Sequence, residues 1–202
     1  MAFGVRMRVA VGAERIRPGR CGRHECRRDG HRERPRAIDG DGRARWRPLQ
    51  HEIAHAEINT IAALPPKGYP DHTIWVTLEP CLQCIGAIVV ARIGTVRFAG
   101  SDPLWKSIER LPDINPFVAS RWPERVGPRD DQFGVLGQLL PLVFYRRRYP
   151  EGASITIHRQ QAPAVAALAD ELVSSGEFER LLDRELPEVI AALWSRLSRS
   201  LT

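Results

Sequence analysis

The feature that most constrains this chain is a set of metal-ligand residue types split between two separate stretches. His55-Ala56-Glu57 comes first, residues 58–80 follow, and then comes Cys81-Leu82-Gln83-Cys84, directly preceded by Glu79-Pro80. One imidazole and two thiols can share an ion only if the fold brings position 55 against positions 81 and 84. Three protein ligands leave one corner of a tetrahedral site open, which is the catalytic rather than the closed structural arrangement of zinc. Bound zinc brings the pKa of water from about 15.7 to about 7. Glu57 stands two residues from the histidine and is not needed as a ligand, so it is the candidate catalytic group that shuttles protons between water and substrate. A structural zinc site would want a fourth protein ligand, and a redox Cys-x-x-Cys pair would have no use for His55 and Glu57.

Local patterns around the motif say how the two stretches meet. His55 to Leu64 reads as a helix with Ile58, Ile61 and Ala62 on one face, ended by Pro65-Pro66. Thr73 to Leu78 is β-branched and aromatic and predicts a strand. Cys81 to Ile93 predicts a buried helix, apolar on nearly all sides, and Thr95 to Ala99 predicts a further strand. Strand, crossover helix and strand imply a parallel pair. Cys81 and Cys84, at i and i+3, then occupy one face of a first helical turn, where the positive end of the helix dipole favours thiolate. His55 and Glu57 begin the other helix. Two helix starts meeting on one side of a sheet would gather three ligands, with Glu57 facing the open position.

The order His-x-Glu followed by Pro-Cys-x-x-Cys is the zinc deaminase signature. Over His55-Ala56-Glu57-Ile58-Asn59, Trp75 to Ala87, Ala91-Arg92-Ile93-Gly94 and Val96-Arg97-Phe98, the chain resembles the cytidine-deaminase-like superfamily. It reads most like the branch of nucleoside, guanine and tRNA adenosine deaminases. The resemblance spans roughly residues 50–102. It implies an α/β fold, a three-layer α/β/α sandwich, here followed by a helical C-terminal extension. It implies Zn2+ on His55, Cys81 and Cys84, Glu57 as the catalytic acid/base, and the backbone N–H of Cys81 steadying the attacked centre. It also implies hydrolytic release of ammonia from a base, nucleoside or nucleotide, with a tRNA-directed adenosine deaminase or a catalytically impaired zinc-binding member as alternatives. The family places a base-gripping Asn on a strand upstream of the His-x-Glu motif, whereas this chain has no Asn before Asn59.

Charge is distributed unevenly. Residues 1–50 hold 14 Arg against 6 acidic residues, while the remaining 152 hold 16 basic and 18 acidic. The excess positive charge therefore lies ahead of the motif, and the motif-bearing part carries no basic surplus of the kind a nucleic-acid groove needs. A small-molecule substrate is the expected partner, with RNA a possible one. Val5, Met7, Val9 and Val11 alternate with polar or small residues and predict a short strand. Residues 12–45 hold 11 Arg and no aromatic residue, and have neither strand nor helix period. Three readings stay open for them: a solvated basic insertion, an arm that neutralises phosphates, or a stretch translated in a non-native frame. Cys21, His24, Cys26 and His31 fall in this run at a spacing that fits no zinc pattern.

Beyond the motif, Asp102-Pro103-Leu104-Trp105 follows directly on a strand end, where ligand crevices form in open α/β sheets. Trp105 is the candidate substrate-binding residue, able to stack on a base, and Trp122 is a second aromatic of the same kind. Residues 101–150 read as loops and short helices. Residues 162–199 read as helices with Leu stripes, broken at Ser174-Ser175-Gly176, and the stripes are core. The expected organisation is an Arg-rich segment at 1–46, a zinc deaminase domain at 47–150 and a helical extension at 151–202. No apolar run is long enough to cross a bilayer and no signal peptide is visible, so a cytoplasmic protein, most simply a homo-oligomer such as a dimer, is expected.

Overall fold

The computed structural model describes residues 55–201. The strand expected over residues 5–11 and the Arg-rich run at 12–45 lie outside the described residues. The chain from His55 onward is mixed α/β: a small parallel sheet followed by many helices.

The first helix, α1 (Ala56–Ala62), stops before Pro65-Pro66 as the sequence predicts. Strand β1 (Thr73–Leu78), helix α2 (Leu82–Ala91) and strand β2 (Thr95–Gly100) form the expected parallel unit. Register pairs Ile74 with Val96, Trp75 with Arg97 and Val76 with Phe98. One face of this pair is therefore apolar, and it packs on Ile85 and Ile88 of α2 in a core that also takes in Tyr69, Ile93 and Ile108. On the opposite face the Arg97 guanidinium lies 5.0 Å from the centre of the exposed Trp75 ring. Alternation within β1 and β2 thus sorts apolar from polar side chains as period two demands.

After β2 the chain makes two short 3-10 turns, Pro103–Trp105 and Ile108–Arg110, and two single-turn helices, α3 (Leu111–Ile114) and α4 (Pro116–Ala119). A third strand, β3 (Glu124–Val126), adds to β2 in parallel, giving the order β1-β2-β3. Its three residues carry too little pattern to be seen in the sequence.

Helix α5 (Gln132–Arg148) corrects the expectation of only loops and short helices over residues 101–150. Gly134, Gly137 and Pro141 hide it, because each disfavours a helix interior. Asp131 caps its start by accepting from the Phe133 and Gly134 N–H groups at 3.0 and 3.2 Å. The glycines serve packing: a carbon added at Gly137 would stand 2.3 Å from the Thr77 carbonyl oxygen of β1 and 2.8 Å from the Gly100 nitrogen of β2. Only a glycine lets α5 cross the strand ends this closely.

From its other side α5 nucleates a second core. Val135, Leu136, Leu139, Leu142 and Val143 pack with residues of α6 (Ala153–Gln161), α7 (Pro163–Ser174), α8 (Glu177–Leu182) and α9 (Leu186–Arg199). The predicted stripe Val165, Leu168 and Leu172 is buried, as are Leu193 and Leu197, and Ser175-Gly176 separates α7 from α8. Helix α6 lies within the helical extension expected at 151–202, ahead of the Leu stripes. Among the described residues no helix is long and apolar enough to cross a membrane.

Overpacking a tight contact costs roughly 1–3 kcal/mol. We therefore expect Gly137→Ala to lower the thermal midpoint by several degrees. Gly86→Ala on α2, where the added carbon meets nothing within 4 Å, should leave it unchanged or raise it. Thermal unfolding followed by circular dichroism checks the contrast.

Candidate active site

The carboxyl ends of β1 and β2 build the site. Glu79, just past β1, donates its N–H to the Gly100 carbonyl oxygen at 2.7 Å, so strand-like pairing continues one step beyond the strand. Pro80 then turns the chain and Cys81 caps α2 with extended backbone geometry. Cys84 lies in the first turn, fully buried. His55 holds the equivalent place on α1: it is the N-cap residue, also extended. The two helix starts converge as the sequence predicts.

His55 Nδ1 lies 3.2 Å from Cys84 Sγ and 3.4 Å from Cys81 Sγ, and the two sulfurs are 3.5 Å apart. The three ligand atoms form a compact triangle that could hold one metal ion, and it is the group of this kind found among the described residues. A hydrogen bond with Cys84 and the neighbouring His55 pull the Cys81 thiol down to about 4, against the opposing effect of burial. The same hydrogen bond between the two thiols, burial and the nearby Glu57 charge push Cys84 up. The pair thus gives up one proton readily and keeps the second until a cation replaces it. Burial raises the Glu57 carboxyl above its ordinary value, opposed by hydrogen bonds to its own backbone and to Cys84 and by the His55 charge. A raised carboxyl pKa beside a ligand cluster is the condition under which a group both takes and returns a proton.

A polar network not foreseen from the sequence braces this cluster. Arg125 of β3 forms a largely, though not fully, buried ion pair with Glu79, whose other oxygen accepts the Asp102 backbone N–H at 3.0 Å. Asp102 is itself buried and caps the Pro103–Trp105 turn, its Oδ1 accepting the Leu104 N–H at 2.9 Å. Glu79 therefore ties β3, the loop entering the cysteine motif and the turn carrying Trp105 to one carboxylate. Trp105 stands on the strand-end edge, 37% exposed, while Trp122 is half-buried against the core of α2 and the sheet. Nothing local marks Arg125 or Glu79, because the pair spans 46 positions and exists only once β3 joins the sheet.

Comparison with known proteins agrees with this geometry. Over 69 residues the chain is 39% identical to a tRNA-specific adenosine deaminase of Agrobacterium fabrum, covering 32% of this chain and 45% of the relative. Over 58 residues it is 43% identical to a tRNA-specific adenosine deaminase of Bacillus subtilis, covering 27% and 36%. Over 89 residues it is 33% identical to a tRNA(Ile)-lysidine synthase of Deinococcus radiodurans, covering 42% and 15%. The chain thus spans less than half the length of these curated relatives. No solved structure matches.

Removing one partner of a buried ion pair typically costs about 3–5 kcal/mol, because the other charge is left unpaired. Arg125→Ala should accordingly lower the urea midpoint strongly, and the double variant Arg125→Met, Glu79→Gln should recover much of the loss.

The model of the MafB19-like deaminase family matches residues 39–140, half of the chain and all of the motif-bearing part, and with the motif residues in place the chain belongs to this family of the cytidine-deaminase-like superfamily.

Proposed function

We propose that this chain is a zinc-dependent hydrolytic deaminase that releases ammonia from an amino-substituted nucleobase, nucleoside or nucleotide. The observation that carries the reading is the His55–Cys81–Cys84 triangle with a half-buried carboxyl group, Glu57, beside it. The donor set fits the ion. Zn–S bonds of about 2.3 Å and a Zn–N bond of about 2.0 Å imply tetrahedral edges of roughly 3.5–3.8 Å. The separations of 3.2, 3.4 and 3.5 Å lie just inside these and need only a small outward shift. When bound, zinc supplies the Lewis acidity that makes water nucleophilic near neutral pH.

The remaining work falls to the chain. His55 and the two cysteines would hold the ion. Glu57 takes a proton from the attacking water, passes it to the ring nitrogen next to the attacked carbon and helps the amine leave as ammonia. Trp105, exposed at the strand-end edge, offers a face on which the base stacks. The same reading carries the three-layer α/β/α arrangement, with α1 and α2 on one side of the sheet and α5 on the other. It also carries the three segments 1–46, 47–150 and 151–202, and a reducing compartment in which Cys81 and Cys84 stay free thiols.

A second reading has its own support. Two of the relatives bear the name tRNA-specific adenosine deaminase, which favours an RNA-directed enzyme. Ammonia release from a panel of bases, nucleosides, nucleotides and a tRNA separates the two. Turnover of a small molecule supports the first reading. Turnover of the tRNA alone supports the second, and turnover of none refutes both.

Two further outcomes follow. Metal analysis should find one zinc per chain and a near-complete loss of it in the Cys81→Ala, Cys84→Ala double variant; full occupancy there would remove the proposed ligand set. Glu57→Ala should retain zinc and fold while activity falls by roughly 10²–10⁴-fold, the usual contribution of a positioned acid/base. Activity within a few-fold of the unaltered chain would show that Glu57 is not the proton shuttle.

A further inference from the structure

Two residues, Glu79 and Pro80, separate the end of β1 from Cys81. Pro80 is fully buried and has no N–H, so it fills space but donates no hydrogen bond. The polar hold on this loop falls to Glu79. Its backbone N–H donates to the Gly100 carbonyl oxygen at 2.7 Å. Its side chain reaches two residues further along the facing chain, where Oε2 accepts the Asp102 N–H at 3.0 Å. Glu79 is thus fastened to the end of β2 by both its main chain and its side chain.

Each side of this clamp leads to one half of the site. On one side is Cys81, whose carbonyl oxygen accepts the Ile85 N–H at 2.9 Å and so opens α2. On the other is the Pro103–Trp105 turn, which Asp102 shapes: its Oδ1 accepts the Leu104 N–H at 2.9 Å and its carbonyl oxygen the Trp105 N–H at 3.0 Å. Trp105 therefore stands where Asp102 puts it, and Asp102 is tied to Glu79. Arg125 fixes the carboxylate in turn. Its Nη2 donates to Glu79 Oε1, while its Nη1 is buried with no hydrogen-bond partner. The guanidinium lies 5.2 and 5.8 Å from the ring centres of Phe98 and Trp122. It cannot turn away from Glu79 without leaving a largely buried charge unpaired.

We propose that Glu79 is a positioning residue that couples the two halves of the site: one carboxylate sets both the place of Cys81 in the metal cluster and the place of Trp105 at the substrate edge, so that metal retention and substrate affinity rise and fall together. The catalytic meaning rests on the deaminase reading above; the coupling of the two places does not.

Two double variants of the full chain separate this role from the stabilising effect of the ion pair. Both remove both charges, so neither leaves one charge unpaired. Arg125→Met with Glu79→Gln keeps an amide oxygen that can accept the Asp102 N–H. Arg125→Met with Glu79→Met keeps the bulk and offers no acceptor. Both are zinc-loaded and compared well below their thermal midpoints. With whichever substrate of the panel is turned over, the Glu79→Met chain should have a KM roughly tenfold above that of the Glu79→Gln chain, the order of one lost buried hydrogen bond, while kcat changes less. It should also release zinc to a chromophoric chelator roughly tenfold faster. The Glu79→Gln chain should stay within a few-fold of the unaltered protein in both. Equal KM and equal zinc release in the two variants overturn the proposal, and so does a change in only one of the two quantities. Should the Glu79→Met chain fail to fold, Glu79→Asp with Arg125 intact carries the same comparison, because it keeps the charge but withdraws the oxygens by one methylene. Amide hydrogen exchange needs neither substrate nor metal. Exchange at Asp102, Leu104 and Trp105 should quicken together with exchange at Ile85 in the Glu79→Met chain and in neither place in the Glu79→Gln chain. Quickening at the turn alone overturns the coupling whether or not ammonia is released. Joint quickening in a chain that deaminates nothing supports the coupling and refutes the deaminase reading instead.

Discussion

The parallel pairing of β1 with β2 across α2 is the constraint on which the site depends. Ile74, Val76, Val96 and Phe98 present one apolar face, and Ile85 and Ile88 close over it. With that contact made, the loop Glu79-Pro80 has one route to α2, and Cys81 arrives at the helix start with Cys84 one turn on. A slip of one residue in either strand would turn the apolar face to solvent. The grouping of His55 with Cys81 and Cys84 is thus a by-product of burying apolar surface.

The second dependency runs through charge. Burying Glu79 and Arg125 costs desolvation free energy that their mutual contact and the Asp102 N–H offset only if β3 is in place. The strand that closes the sheet therefore also fixes the loop ahead of Cys81 and the turn bearing Trp105. The Pro103–Trp105 turn that Asp102 caps packs on α6, and α5 joins the sheet to the C-terminal core through the close approach at Gly137. Stability and site geometry share the same contacts, so a lesion in the C-terminal helices has a direct path to the crevice.

Membership of the deaminase family follows from residues 39–140, but the relatives named here are matched over only part of their length. The substrate is therefore a matter for the crevice rather than for the family.

The sequence by itself determined the grouping of His55 with Cys81 and Cys84, the two helix starts, the parallel strand pair, the Leu stripe of α7 and the buried Leu193 and Leu197 of α9. Each of these is local: a ligand spacing, a period of two, or a period near 3.6 can be read within a dozen residues. The tertiary structure alone decided α5, β3 and the Arg125–Glu79–Asp102 line. Gly134, Gly137 and Pro141 argue against a helix until the strand ends that need those glycines are present. Glu124–Val126 is too short to show a pattern before β2 offers its edge. A buried charge gives no sign in the chain of which residue, 23 or 46 positions away, will answer it. Such pairings depend on which backbones come close in three dimensions, and that is set by the packing of the apolar faces rather than by any residue's neighbours in sequence.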